Sequence, residues 1–142
     1  ISGIFSKEIQ KMIAALDSNV ILRYIVRDDE TQYYKAVKLL EQSEYKTFKV
    51  NLVVITEVWW VLEHIYYYSK EELIEAFQIL LSAKELNFEK YNSVSRALNL
   101  YKYNKADFED CLIAQLNSDS EVLPTFTFDK KASTLSGMQL LK

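Results

Sequence analysis

The chain alternates short apolar runs with helical patterns, and three of those runs stop at a residue able to close a strand and open a helix. Met12-Ile13-Ala14-Ala15-Leu16 ends at Asp17, Thr47-Phe48-Lys49-Val50 ends at Asn51, and the run from Val122 to Phe128 ends at Asp129. A short apolar run reads as a strand, the first of them as a buried one. An Asp or Asn just beyond it offers a side-chain oxygen to the free N–H groups of a helix start. Strands that return after each helix need crossover connections, which selects an α/β layered fold with a mostly parallel sheet. In such sheets ligands sit beyond the carboxyl ends of the strands, where Asp17 and Asp129 stand.

The remaining elements follow the same signals. Helices are expected from Val20 to Ile25, from about Thr31 to Ser43, and from Leu52 to about Tyr67. Ser69 with Glu72 three residues later forms a capping box for the next helix. Leu86-Asn87-Phe88 reads as a short strand, and Tyr91 to Tyr103 and Asp107 to about Ser118 as helices. Pro124 interrupts the strand from Val122 to Phe128, a short helix starts near Asp129, and Gly137 precedes a last strand, Met138 to Leu141. The sum is a central, mostly parallel sheet of about four to five strands flanked by helices. No repeat or linker divides the chain, so residues 12–142 are expected to form one domain. Residues 1–11 read as a leader or an expression remnant, with Met12 as a possible native start.

Composition removes several functional classes. Two glycines, Gly3 and Gly137, cannot build a phosphate-cradling loop or a dinucleotide fingerprint. One cysteine, Cys111, excludes an intrachain disulfide and fits a reducing, cytoplasmic setting. One histidine, His64, leaves no Cys/His zinc set within one chain and reads as a surface histidine. No apolar run approaches the roughly 20 residues of a membrane span, so no membrane association is expected. A formal net charge of -3 argues against sequence-blind adhesion to nucleic acid, though not against an enzyme that meets it locally.

The acidic residues carry the chemistry. Asp17 and Asp129 each have a plain explanation as caps, favoured at the positive end of a helix. Asp107 and Asp110 stand three apart on one helix face, with Glu109 beside them. Capping and first-turn roles explain them too, but like charges at that spacing repel. Glu57 lies too far along its helix to cap it. Its helical neighbours are Val53, Val54, Trp60 and Val61, and a carboxylate on an apolar face is costly without compensation. A distant Arg or Lys would compensate it, and so would a cation. Carboxylates gathered in one pocket repel by about 1 kcal/mol per pair at ~4 Å in water and about 4 at an effective dielectric of 20. A divalent metal removes that penalty, and all-oxygen ligands favour Mg²⁺ or Mn²⁺. Such ions activate water for attack on a phosphodiester.

These residues fall in four runs that resemble a known family. Leu16-Asp17-Ser18-Asn19-Val20-Ile21-Leu22-Arg23-Tyr24 resembles the opening of PIN-domain proteins, in particular VapC-type toxins of toxin–antitoxin pairs. Thr56 to Glu63 is similar to the family's second motif, Ala106 to Ala114 to its third, and Thr127 to Ala132 to its fourth. Leu135 to Leu141 resembles its usual ending. The resemblance spans about Met12 to Leu141. It implies a PIN-like fold and a Mg²⁺- or Mn²⁺-dependent endoribonuclease acting through metal-activated water. It implies an acidic cluster of Asp17, Glu57, Asp110 and Asp129, with Asp107 as a further metal ligand. Ser18, Asn19 and Thr127 would support that site by hydrogen bonding. It also implies an RNA substrate, a cognate antitoxin and a homodimer. The leader at residues 1–11 departs from the pattern, as does Gln115 where a smaller residue is usual.

Other features are read more plainly. Arg23 and Arg27, four apart, are candidates for RNA phosphates or else solvated helix charges. Lys130 and Lys131 stand under the same two readings. Trp59, Trp60 and Tyr66-Tyr67-Tyr68 suit base stacking, but large aromatics more often fill cores or subunit contacts. Two further functions compete. An aspartate-nucleophile phosphatase would use Asp17, yet such enzymes want a second Asp where Asn19 stands. A catalytically inactive PIN-like module would bind RNA or protein, and the intact acidic set argues against it.

Overall fold

The computed structural model describes residues 12–142. The reading of residues 1–11 as a leader lies outside the described residues. The described residues contain six α-helices, one 3₁₀ turn and five short strands, grouped into two compact units. One unit runs to Glu89 and the other covers Lys90–Lys142.

The first unit holds β1 (Ile13–Ala15), α1 (Ser18–Ile25), α2 (Glu30–Gln42), β2 (Thr47–Val50), α3 (Leu52–His64), α4 (Lys70–Ser82) and β3 (Leu86–Phe88). Its strands form a parallel sheet in the order β1-β2-β3, in register Ala14 to Phe48 and Phe48 to Leu86. A pair of helices makes each crossover, as parallel neighbours require. Phe48 and Val50 on the central strand are fully buried, and Trp59 packs on Phe77 with ring centroids 4.8 Å apart.

Side-chain caps set the helix starts. Asp17 accepts from the Val20 N–H, Asp29 from Gln32 and Asn51 from Val54, at 3.3, 3.0 and 2.9 Å. The Ser69–Glu72 box closes in both directions.

Two expectations need correction. β1 is not a buried strand: Ile13 is 47% exposed, and only Leu16, just past its end, is buried. Among the described residues of its own unit it pairs with β2, and its apolar residues mark strand propensity rather than depth. α3 stops at His64 instead of about Tyr67, because Tyr67 takes a left-handed φ of 55° and the Tyr68 N–H turns back to the Leu62 carbonyl.

The second unit holds α5 (Tyr91–Tyr103), α6 (Phe108–Asp119), β4 (Thr125–Thr127), the 3₁₀ turn Ala132–Thr134 and β5 (Met138–Leu140). α5 buries Val94, Ala97, Leu98 and Tyr101, one face at helical spacing. It packs on α6, which buries Phe108, Cys111 and Leu112. Tyr101 meets Phe108 edge-on at 6.2 Å. β4 and β5 are parallel, and β4 begins just after Pro124, which lacks the N–H a ladder would use. The strands are thus all parallel, three in one sheet and two in the other.

Candidate functional site

In the first unit the sequence-predicted residues gather where β1 gives way to α1. Asp17 is exposed and uses Oδ1 as the cap of α1. Ser18 follows it, buried to 5% exposure, and its hydroxyl donates to Glu57 Oε1 at 2.5 Å. That bond joins the first turn of α1 to the middle of α3. Asn19 is exposed and, with Asp17, borders a groove between α1 and α2 floored by Val20, Ala36 and Leu39. Gln32 and Lys35 form its other edge. Sequence reasoning did not single these two out. With Ala36 and Leu39 they lie at helical positions i, i+3, i+4 and i+7, the spacing that would have shown one shared face.

Glu57 is on the surface, and the reason given for its importance changes. Val54 is buried, but Val53 is 71% and Trp60 50% exposed, so the carboxylate does not lie in an apolar interior. What singles it out is its bond to a buried hydroxyl 39 residues away.

In the second unit, Asp107 occupies the cap position of α6 but makes no capping hydrogen bond. Asp110, one turn on, is half-buried. Its carboxyl is pushed above the ordinary value, first by burial and then by the charges of Asp129 and Asp107. Asp129 is held by a short relay: its N–H donates to Thr127 Oγ1 at 3.0 Å, and its Oδ1 accepts from the Ala132 N–H at 2.9 Å. Asp107 and Asp129 line a shallow recess together with Lys130 and Lys131. Among the described residues, Asp107, Asp110 and Asp129 form no ion pair with a basic side chain.

Among the described residues, no three His, Cys, Asp or Glu side chains converge closely enough to form a ready-made metal cage. Several of their oxygens are already committed, to Val20 by Asp17, to Ser18 by Glu57 and to Ala132 by Asp129. The donor set is all oxygen, which suits a hard divalent cation.

Arg23 and Arg27 do not present uncommitted charge. Arg23 binds Gln32 Oε1 at 2.6 Å, Asp28 Oδ1 at 3.2 Å and the Tyr66 hydroxyl at 3.3 Å. Arg27 makes two bonds to Glu30, at 2.9 and 3.1 Å, and stands 4.2 Å over the Tyr33 ring. Both guanidinium groups are matched by acids within their own unit. Of the aromatics, Trp59 is core, Tyr66 belongs to the Arg23 network, and Trp60 stacks on His64 at 4.9 Å. Gln115 reaches Asp119 one turn along its own helix.

A family model for the PIN domain matches residues 14–137. The chain belongs to the PIN domain family. The match takes in both units and every acidic position described above. A VapC ribonuclease of Aquifex aeolicus (strain VF5) is 28% identical over 102 residues, covering 68% of this chain and 73% of that protein. As a PIN domain, the chain carries its acidic residues in two sets. One is Asp17 and Glu57 with Ser18, the other Asp107, Asp110 and Asp129 with Thr127. No helix among the described residues is long and apolar enough to cross a membrane.

Proposed function

We propose that this PIN domain is a Mg²⁺- or Mn²⁺-dependent endoribonuclease and the toxin of a toxin–antitoxin pair. The observation that carries the reading is that Asp107 and Asp129 line one recess, with the half-buried Asp110 one turn along the helix from Asp107, and among the described residues none of the three forms an ion pair with a basic side chain. Carboxylates gathered without an ion-pair partner favour a bound cation. The similarity to a protein named VapC ribonuclease supports RNA as substrate.

On this reading residues 12–142 act as one nuclease domain. Asp17, Glu57, Asp110 and Asp129 hold the metal, and Asp107 adds a ligand directly or through water. When bound, the ion supplies an activated water and stabilises charge on the phosphodiester. Ser18 fixes the Glu57 carboxylate, Thr127 fixes the turn that carries Asp129, and Asn19 orders the Asp17 side. A cytoplasmic location, a homodimer and a blocking antitoxin belong to the same proposal.

The test is cleavage of a labelled RNA with Mg²⁺, Mn²⁺ or EDTA. Cleavage is expected with either metal and not with EDTA, and is lost in Asp17→Asn and Glu57→Gln. Undiminished cleavage by both variants overturns the proposal.

A second reading is a PIN-like binding module without catalysis, favoured by the absence of a ready-made metal cage among the described residues. Metal titration separates the two, since an ion that binds the folded state raises its melting temperature. No rise with either metal selects the binding module.

A further inference from the structure

Two cations stand beside the second acidic set. Lys130 and Lys131 are exposed, line the recess with Asp107 and Asp129, and among the described residues make no ion pair. Asp129, their direct neighbour, spends its Oδ1 on the Ala132 N–H instead. Their backbone is nevertheless pinned. The Ser133 hydroxyl donates to the Lys130 carbonyl and the Thr134 hydroxyl to the Lys131 carbonyl, each at 2.7 Å. The Thr127–Asp129 bond fixes the turn from the other side. Two ammonium groups are thus carried on a braced turn at the mouth of an acidic recess.

We propose that Lys130 and Lys131 form the backbone-phosphate subsite of the RNA, next to the carboxylates that act on it. The inference rests on the ribonuclease reading and adds the residues that engage the strand. A polyanion approaching Asp107 and Asp129 is repelled unless cations stand at the same place. An ammonium group meets phosphate as a point charge with three donors, without the fixed geometry of a guanidinium. Arg23 and Arg27, the other candidates for RNA phosphates, are each paired with an acid, Asp28 and Glu30, whereas Lys130 and Lys131 make no such pair among the described residues.

The experiment measures binding apart from cleavage. In an Asp17→Asn background, with EDTA, fluorescence anisotropy follows a short fluorescein-labelled oligouridine from about 50 to about 200 mM salt, a range in which phosphate contacts dominate the response. Changing Lys130→Ala and Lys131→Ala together is expected to weaken binding and lower the slope of log K against log salt by about 1.4, at ~0.7 per phosphate on a single strand. The Lys→Arg pair keeps the slope. An unchanged slope, a loss the Arg pair does not restore, or no binding before substitution overturns the assignment. Metal-dependent cleavage by the wild type is scored separately, so failure of the ribonuclease reading stays distinct from failure of this subsite.

Discussion

Ser18 Oγ donates to Glu57 Oε1 at 2.5 Å, and this bond holds the first turn of α1 to the middle of α3. The hydroxyl is buried and the carboxylate is exposed. The carboxylate is thereby fixed at its inner end while its outer side meets solvent.

Removing that hydroxyl should uncouple the orientation of Glu57 from the fold. Ser18→Ala is expected to lower the cleavage rate by about tenfold or more, the usual cost of losing a group that orients a metal-binding carboxylate. Ser18→Thr keeps the hydroxyl and should retain more activity than Ser18→Ala. Single-turnover cleavage at saturating metal reads both. Equal rates for Ser18→Ala and the wild type would remove Ser18 from any supporting role.

Asp110 should destabilise the metal-free protein at neutral pH. Its carboxyl is easier to protonate in the folded state than in the unfolded one, through burial first and then Asp129 and Asp107. A group raised in this way contributes stability that is fully present below its unfolded pKa and is lost as pH rises through its folded pKa. Asp110→Asn is therefore expected to raise the melting temperature in EDTA at pH 7 by about 1–2 °C, on the scale of a small stability change. The advantage should fade as pH falls into the ordinary carboxylate range. Mg²⁺ or Mn²⁺ should reverse the ranking by stabilising the wild type more. A variant that melts lower than the wild type in EDTA at pH 7 contradicts this account.

How far the sequence reveals the molecule depends on the range of the interaction involved. Local chemistry was legible: Thr47–Val50 and Tyr91–Tyr103 run between the expected bounds, and the Ser69–Glu72 box closes as its spacing implies. Depth was not. Ile13, Val53 and Trp60 are apolar and exposed, because side-chain type reports a preference while burial depends on which elements arrive from elsewhere in the chain. Long-range partners were equally hidden. Arg23 meets the Tyr66 hydroxyl from 43 residues away, a partner that no local pattern points to. The acidic positions were legible as residues, but their individual roles were not. Asp17 and Asp129 do cap their turns, whereas Asp107 stands at a cap position and makes no capping bond.

Gly137 is required by its backbone. It takes a φ of +84°, and a Cβ added there would lie 2.8 Å from Leu123 Cδ2. Leu123 is exposed and can turn aside, so the conformational penalty is the larger effect. Gly137→Ala is expected to cost about 1–2 kcal/mol, the left-handed penalty of an L-residue, measured as a lower urea midpoint with unchanged slope. A variant as stable as the wild type would mean that the turn before β5 relaxes to negative φ.

Asp119 offers the opposite pH dependence from Asp110. Ser93 Oγ donates to its Oδ2 at 2.6 Å, Gln115 Nε2 to its Oδ1 at 2.8 Å, and Arg96 to the same oxygen at 3.2 Å. The Ser93 bond is the largest cause that holds the carboxyl below its ordinary value, followed by Gln115. A depressed carboxyl contributes stability that is present above its unfolded pKa and lost as pH falls through its folded pKa. Ser93→Ala should therefore lower the melting temperature at pH 7 by about 2–4 °C, the scale of one lost charge-assisted bond. Gln115 and Arg96 remain, so part of the depression survives in the variant. The gap to the wild type should narrow as pH falls below the ordinary carboxylate range, because the protonated acid gains less from the serine. A gap that stays constant across that range would mean that Ser93 matters through packing and not through the charge it serves.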